Sequence, residues 1–259
     1  MAKPRKRHVQ TSIVFKTVDK NGQHRGGRRK NAGRKPTGDF ASHATRPEID
    51  KRHPQHVTLR AAGAVGWLRR LDVYAAIRRA LRTVLPRVNE FRIVHLSIQN
   101  THIHLLVEAN DKHSLANGMR AFQISAAKAI NAVYSSRRRL NERRRGRVFA
   151  DRYYTEDIGS VRQVRNTLSY VLNNWRRHRD DAGAYSLLAG RLDPYASGLA
   201  FPGWREMVPE EQRALPRDYE PLEVVEPKTW LLGIGWTRAA AISMFETPGP
   251  RKISRVDAE

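Results

Sequence analysis

The chain has 259 residues, no cysteine and a net charge of +23, from 48 Lys and Arg against 25 Asp and Glu. Without cysteine there are no disulfides or thiolate metal sites, and a reducing compartment is the default; no run approaches the roughly 20 apolar residues of a membrane helix, and the basic N-terminus lacks the apolar core of a secretory signal. So large a cationic excess repels itself and needs a polyanion, most commonly nucleic acid, with an anionic membrane surface second.

Residues 1–50 read as a flexible basic arm. The stretch "HRGGRRKNAGRKPTG" (His24–Gly38) mixes glycine, proline and cations with almost nothing apolar, so it cannot bury enough surface to offset its ordering entropy. Within it "GRKP" resembles the core of an AT-hook, with Lys35 inserted before the proline, and makes Arg34 and Lys35 candidate nucleic-acid contacts. The bland alternative is a solvated tail attracted to phosphates without preference.

A compact region spans 51–180. "HPQHVTLRAA" (His53–Ala62) alternates at period two around Val57 and Leu59, as a strand does. "DVYAAIRRALRTVLPRV" (Asp72–Val88) predicts a helix with Asp72 as N-cap, a stripe of Val73, Ile77, Leu81 and Val84, and Pro86 as its stop. "FRIVHLSIQN" (Phe91–Asn100) and "HIHLLVEA" (His102–Ala109) read as strands, and Ser114–Tyr134 as a second amphipathic helix. An arginine-rich connection (Ser135–Phe149) leads into an expected short strand near Val148, and Gly159–Asp180 is a third helix. The order β-α-β-β-α-β-α implies an α+β fold: a ferredoxin-like split βαβ antiparallel sheet with helices on one face. Residues 181–259, rich in Gly, Pro and aromatics and without periodicity, form an irregular extension. The tryptophans Trp204, Trp230 and Trp236 there either pack onto the compact region, the favoured reading, or stack on bases.

Two constellations carry chemistry. On the His102–Ala109 strand, His102, His104 and Leu106 share one face, and Ile103, Leu105 and Val107 the other. Two imidazoles side by side are ready metal ligands, though His-x-His is also a common accident. On the third helix Val161, Val164, Leu168, Val171, Leu172 and Trp175 gather on one side, with Tyr170 opposite them near Asn166, Asn174 and Arg177. Such a tyrosine is either a surface residue or, once activated, a nucleophile toward phosphate. The Asn174 amide oxygen could complete a metal site begun by the imidazoles.

"NTHIHLLV", then "GRVFADRYY" (Gly146–Tyr154), then "YVLNN" (Tyr170–Asn174) resemble, in order, the His-hydrophobe-His strand, the Gly-to-Arg-Tyr segment and the Tyr-x-x-x-Asn helix of single-tyrosine HUH transposases. These are the insertion-sequence-200-like transposases and their REP-associated relatives. The resemblance covers roughly His53–Arg179. Asparagine rather than glutamine points to the REP-associated branch, although Trp175 stands where that branch often has proline. The resemblance implies that His102, His104 and Asn174 hold one Mg²⁺ or Mn²⁺. It also implies that Tyr170 attacks single-stranded DNA to form a 5′-phosphotyrosine, so that rejoining needs no ATP. Arg144, Arg145, Arg147, Arg152, Arg176 and Arg177 would track the phosphates of hairpin-bearing element ends. The expected protein is cytoplasmic and nucleoid-associated through DNA, with no membrane partner, and a monomer or homodimer. Rival readings are a domesticated nuclease acting on chromosomal repeats, a non-catalytic nucleic-acid-binding protein, and a relaxase or replication initiator. The last lacks its usual cluster of three histidines and tyrosine pair here.

Overall fold

The computed structural model describes residues 46–87, 90–137, 144–180, 192–206 and 219–249. The arm readings, Arg34 and Lys35 included, lie outside them. Four strands, β1 (Gln55–Arg60), β2 (Phe91–Ile98), β3 (His102–Ala109) and β4 (Tyr154–Asp157), form one sheet in the order β2-β3-β1-β4. All neighbours are antiparallel. Each βαβ crossover therefore leaves a gap of one strand, and the two crossovers fill each other's gap, which is the split βαβ arrangement.

The helices are α1 (Leu71–Val84), α2 (Lys112–Arg137) and α3 (Val161–Arg177). Helices α1 and α2 cover one face as expected. Ile77 and Leu81 of α1 and Leu115, Met119, Phe122, Ala126 and Ile130 of α2 are buried against Val57, Leu59, Ile103, Leu105 and Val107 of the sheet. The spacings of three and four are what bring one stripe of each helix onto the strands. Helix α3 departs from the expectation of helices on one face. It lies across the other face, where Val164, Leu168, Val171 and Leu172 join Val94 and Leu106 in a second core.

Residues 192–206 and 219–249 complete that second core. Leu192, Phe201, Trp204, Leu231, Leu232, Trp236, Ile242 and Met244 are all buried in it. Phe201 lies 5.1 Å from both Trp204 and Trp236, centroid to centroid. Trp204 and Trp236 thus pack as favoured, whereas Trp230, at the start of the short helix α4 (Trp230–Gly233), stays 49% exposed.

Three local readings are corrected. Asp72 is not the N-cap of α1; Arg70 holds that position, and Asp72 in the first turn accepts from the Arg70 guanidinium and the Val73 amide. Near Val148 there is only a bridge between Ala61 and Phe149, and the strand comes later, at Tyr154–Asp157. Strand β2 carries a bulge between Ile93 and His95. A bulge turns the side chains after it to the opposite parity. Ile93, Leu96 and Ile98 therefore reach the first core, while Val94 joins the second. Among the described residues no helix is long and apolar enough to cross a membrane.

Candidate active site

Strand alternation does what β3 promised. Ile103, Leu105 and Val107 point into the first core, and His102 and His104 onto the α3 side, their rings 4.6 Å apart. Each imidazole is engaged at Nδ1. His102 Nδ1 lies 3.1 Å from Thr101 Oγ1; His104 Nδ1 lies 3.2 Å from Thr58 Oγ1 and 3.1 Å from His56 Nε2. Contacts of this kind fix the ring and direct Nε2 to whatever it is to bind. His104 Nε2 faces Tyr170 Oη at 3.5 Å, with the two rings edge to face.

Helix α3 starts at a true cap, Ser160 accepting from the Gln163 amide. Its side chains fall into three lengthwise stripes about a third of a turn apart. Val164, Leu168, Val171, Leu172 and Trp175 form the core stripe. Arg165, Ser169, Asn173 and Arg176 bind residues 243–246: Ser169 and Arg165 donate to the Glu246 carboxylate at 2.8 and 2.5 Å, Asn173 Nδ2 to Ser243 O at 2.9 Å, and Arg176 Nε to Met244 O at 2.7 Å. The third stripe runs Tyr170, Asn174, and on to His178 at the helix end.

That third stripe faces the histidines. Tyr170 touches His104 at one end, and the His178 ring lies 6.3 Å from His102 at the other. Asn174 sits between them, completely buried, with neither amide atom hydrogen-bonded among the described residues. A buried unpaired amide is costly, and such groups call for a partner or a function. Two neighbouring imidazoles held at Nδ1 and an orphaned amide oxygen form a donor set that suits a divalent first-row cation. No group of three or more His, Cys, Asp or Glu able to hold a metal occurs among the described residues. Burial, then the charges of His178 and Arg60, push the His102 imidazole below its ordinary range, which keeps it in the neutral, ligating form.

The arginines divide. Arg144 docks back on α2, donating to Asn131 and lying 5.9 Å from the Tyr134 ring. Arg176 ties α3 to residues 244–245, its guanidinium 5.0 Å from Trp175 and 5.5 Å from Phe245. Arg145, Arg147, Arg152 and Arg177 are exposed, Arg147 also donating to Ala150 O and Arg177 to Gly249 O. Sequence reading missed His56, Thr58 and His178. His56 and Thr58 alternate with the core residues Val57 and Leu59, so their shared face was legible. Their pairing with β3 was not.

Residues 67–174 match the family model described as IS200-like transposase. That segment belongs to the IS200-like transposase family. The transposase segment begins just before α1 and ends on Asn174, so it contains both histidines of β3 and the tyrosine of α3, while β1 with His56 and Thr58 lies outside it. One solved structure, of a REP-associated tyrosine transposase bound to a REP hairpin, is similar at 14% identity and a TM-score of 0.46, over 72% of this chain and 100% of that one. No curated protein matches the chain.

Proposed function

We propose that this chain is a transposase that cuts and rejoins single-stranded DNA by transesterification, with Tyr170 as nucleophile. The observation that carries the reading is the contact of Tyr170 Oη with His104 Nε2 beside the unpaired amide of Asn174. In the first step the phenol oxygen bonds to the scissile phosphorus and loses its proton. The bond from phosphorus to the 3′ oxygen breaks, that oxygen takes up a proton, and a 5′-phosphotyrosine remains. In the second step a 3′-hydroxyl attacks the phosphotyrosine, restoring a phosphodiester and releasing Tyr170. One bond of like energy replaces another each time, so no nucleotide cofactor is required.

His102, His104 and Asn174 would hold Mg²⁺ or Mn²⁺, which when bound polarises the scissile phosphate as a Lewis acid. The protein's own part is orientation. Thr101, Thr58 and His56 fix the two imidazoles from behind, and the residue 243–246 segment holds α3 so that Tyr170 stays over His104. Exposed Arg145, Arg147, Arg152 and Arg177 attract the DNA backbone. Hairpin-bearing element ends are the expected substrates.

The test is a labelled hairpin oligonucleotide from the protein's own genomic flank, incubated with Mn²⁺ and run on a denaturing gel. A covalent, metal-dependent adduct is expected, and it disappears in Tyr170→Phe. Tight DNA binding with no adduct would assign the chain to non-catalytic binding, and an unchanged adduct in Tyr170→Phe would remove Tyr170 as nucleophile.

A further inference from the structure

At the end of the sheet away from the histidines lies a cavity of about 610 Å³, whose lining includes Lys51, Arg52, Arg92, Glu108, Lys228 and Trp230. Strand β1 enters the sheet here and β3 leaves it, because Gln55 pairs with Val107 while Arg60 pairs with His102. Glu108 shares the face of His104, four residues on, so the cavity is about 13 Å from the site along β3.

Its chemistry is not that of a solvated surface. The carboxylate at its floor is fully engaged: Glu108 accepts from the Lys228 and Thr229 amides and the Thr229 hydroxyl, each at 2.8 Å, with Arg92 Nε at 3.7 Å. Its charge is thus countered by three donors and the Arg92 guanidinium, and Glu90, the other carboxylate of the lining, accepts from Ser114 Oγ at 2.9 Å. Above this floor, Lys51 and Lys228 are exposed, and neither ammonium group has a partner among the described residues. Trp230 is 49% exposed beside them, although the same segment buries Trp204 and Trp236 almost completely. Its ring is braced rather than loose. The Arg238 guanidinium lies 4.9 Å from it, and a side chain at Gly235 would strike it at 2.7 Å. A fixed, exposed indole next to unpaired cations is the combination that takes a base by stacking and its phosphate by charge.

We propose that this cavity binds an unpaired nucleotide of single-stranded DNA, the base on Trp230 and the phosphate at Lys51 and Lys228. The inference rests on the proposed function only in that the bound strand is the one presented to Tyr170. None of these three residues belongs to the site that cuts.

The test is the affinity of the full chain for fluorescein-labelled oligothymidylate, an unstructured strand, read by anisotropy without metal. Trp230→Ala is expected to bind roughly 5–150-fold more weakly, the worth of one stacked base, and Trp230→Phe to retain most of the affinity. The double variant Lys51→Ala with Lys228→Ala weakens binding and makes it less sensitive to salt. At saturating hairpin DNA with Mn²⁺ each of these variants still forms the Tyr170 adduct. Unchanged affinity and salt dependence in the lysine pair, which is on the surface and does not endanger folding, together with unchanged affinity in Trp230→Ala, would overturn the proposal. An absent adduct in the unmodified protein would sink the transesterification reading while leaving the affinity measurement to decide the cavity.

Discussion

His56 supports the site without belonging to the motif that announces it. Its Nε2 lies 3.1 Å from His104 Nδ1, and its ring 5.9 Å from that of Tyr170. Removing a group that orients a ligating imidazole typically costs 10–100-fold in metal affinity. His56→Ala should therefore raise the Mn²⁺ concentration needed for half-maximal cleavage by roughly that factor, measured by titrating metal against adduct yield. An unaltered metal requirement would leave His56 a packing residue. Its neighbour on the same side of the sheet, His95, makes a different prediction. Burial pushes the His95 imidazole down to about 4, with Nδ1 3.1 Å from Ser197 Oγ. Below about 6.5 the unfolded chain takes up a proton that the folded chain refuses, so His95 costs stability progressively as pH falls toward 4, on the order of 3 kcal/mol in all. Above pH 6.5 it contributes no slope. His95→Gln should flatten the fall in thermal midpoint between pH 6.5 and 4 relative to the unmodified chain; parallel curves would refute the assignment.

Elements built on local periodicity were legible, and those built on distant pairing were not. The stripes Val73–Ile77–Leu81–Val84 and Val164–Leu168–Val171–Trp175 announce α1 and α3 because a helix reads its own neighbours. His102 and His104 declare a common face for the same reason. The Thr58–His104 contact spans 46 residues of chain, and nothing in "HVTLR" says which strand it will meet. The bulge in β2 is likewise silent, because "FRIVHLSI" reads as an unbroken strand while Val94 and His95 have left the parity of Ile93. Polar spacing left one point open. The non-apolar sides of α3 allowed either a solvated tyrosine or one at a site, and the burial of Ser169, Asn173 and Asn174 could not be read from them. Helix α2 offers a test of packing at this scale. A Cβ at Gly118 would lie 2.1 Å from Phe91 Cγ, and Phe91 is only 2% exposed. Alanine gains up to about 1 kcal/mol in helix propensity, but overpacking a fixed ring costs about 1–3 kcal/mol. Gly118→Ala should be net destabilising in urea unfolding, and a stabilised variant would show that Phe91 can move.

For the molecule as a whole, the unperiodic segment is the part that sequence reading could place least, and it holds the helix of the candidate site. Residues 192–206 and 219–249 have no stripe to find, because they pack through single large side chains, Phe201, Trp204 and Trp236, rather than through a repeating face. Yet they close the second core, and through Glu206, Ser243 and Glu246 they grip the helix that carries Tyr170. Glu206 binds the Ser243 hydroxyl at 2.6 Å and the Met244 amide at 2.8 Å, which stiffens the strap that in turn holds Asn173, Ser169 and Arg165.

That strap bears on which chain would own the proposed nucleophile. A tyrosine helix joined to its sheet by a loose linker can be lent to a neighbouring molecule, and cutting then takes two chains. Here four side chains of α3 are bound to a segment of their own polypeptide, and lending the helix would mean dismantling the second core. On the proposed mechanism each chain is expected to cut by itself, with initial rates that rise in simple proportion to protein concentration. Mixing Tyr170→Phe protein with His104→Ala protein should restore no cleavage. Recovery of activity in the mixture would show that the helix changes hands after all.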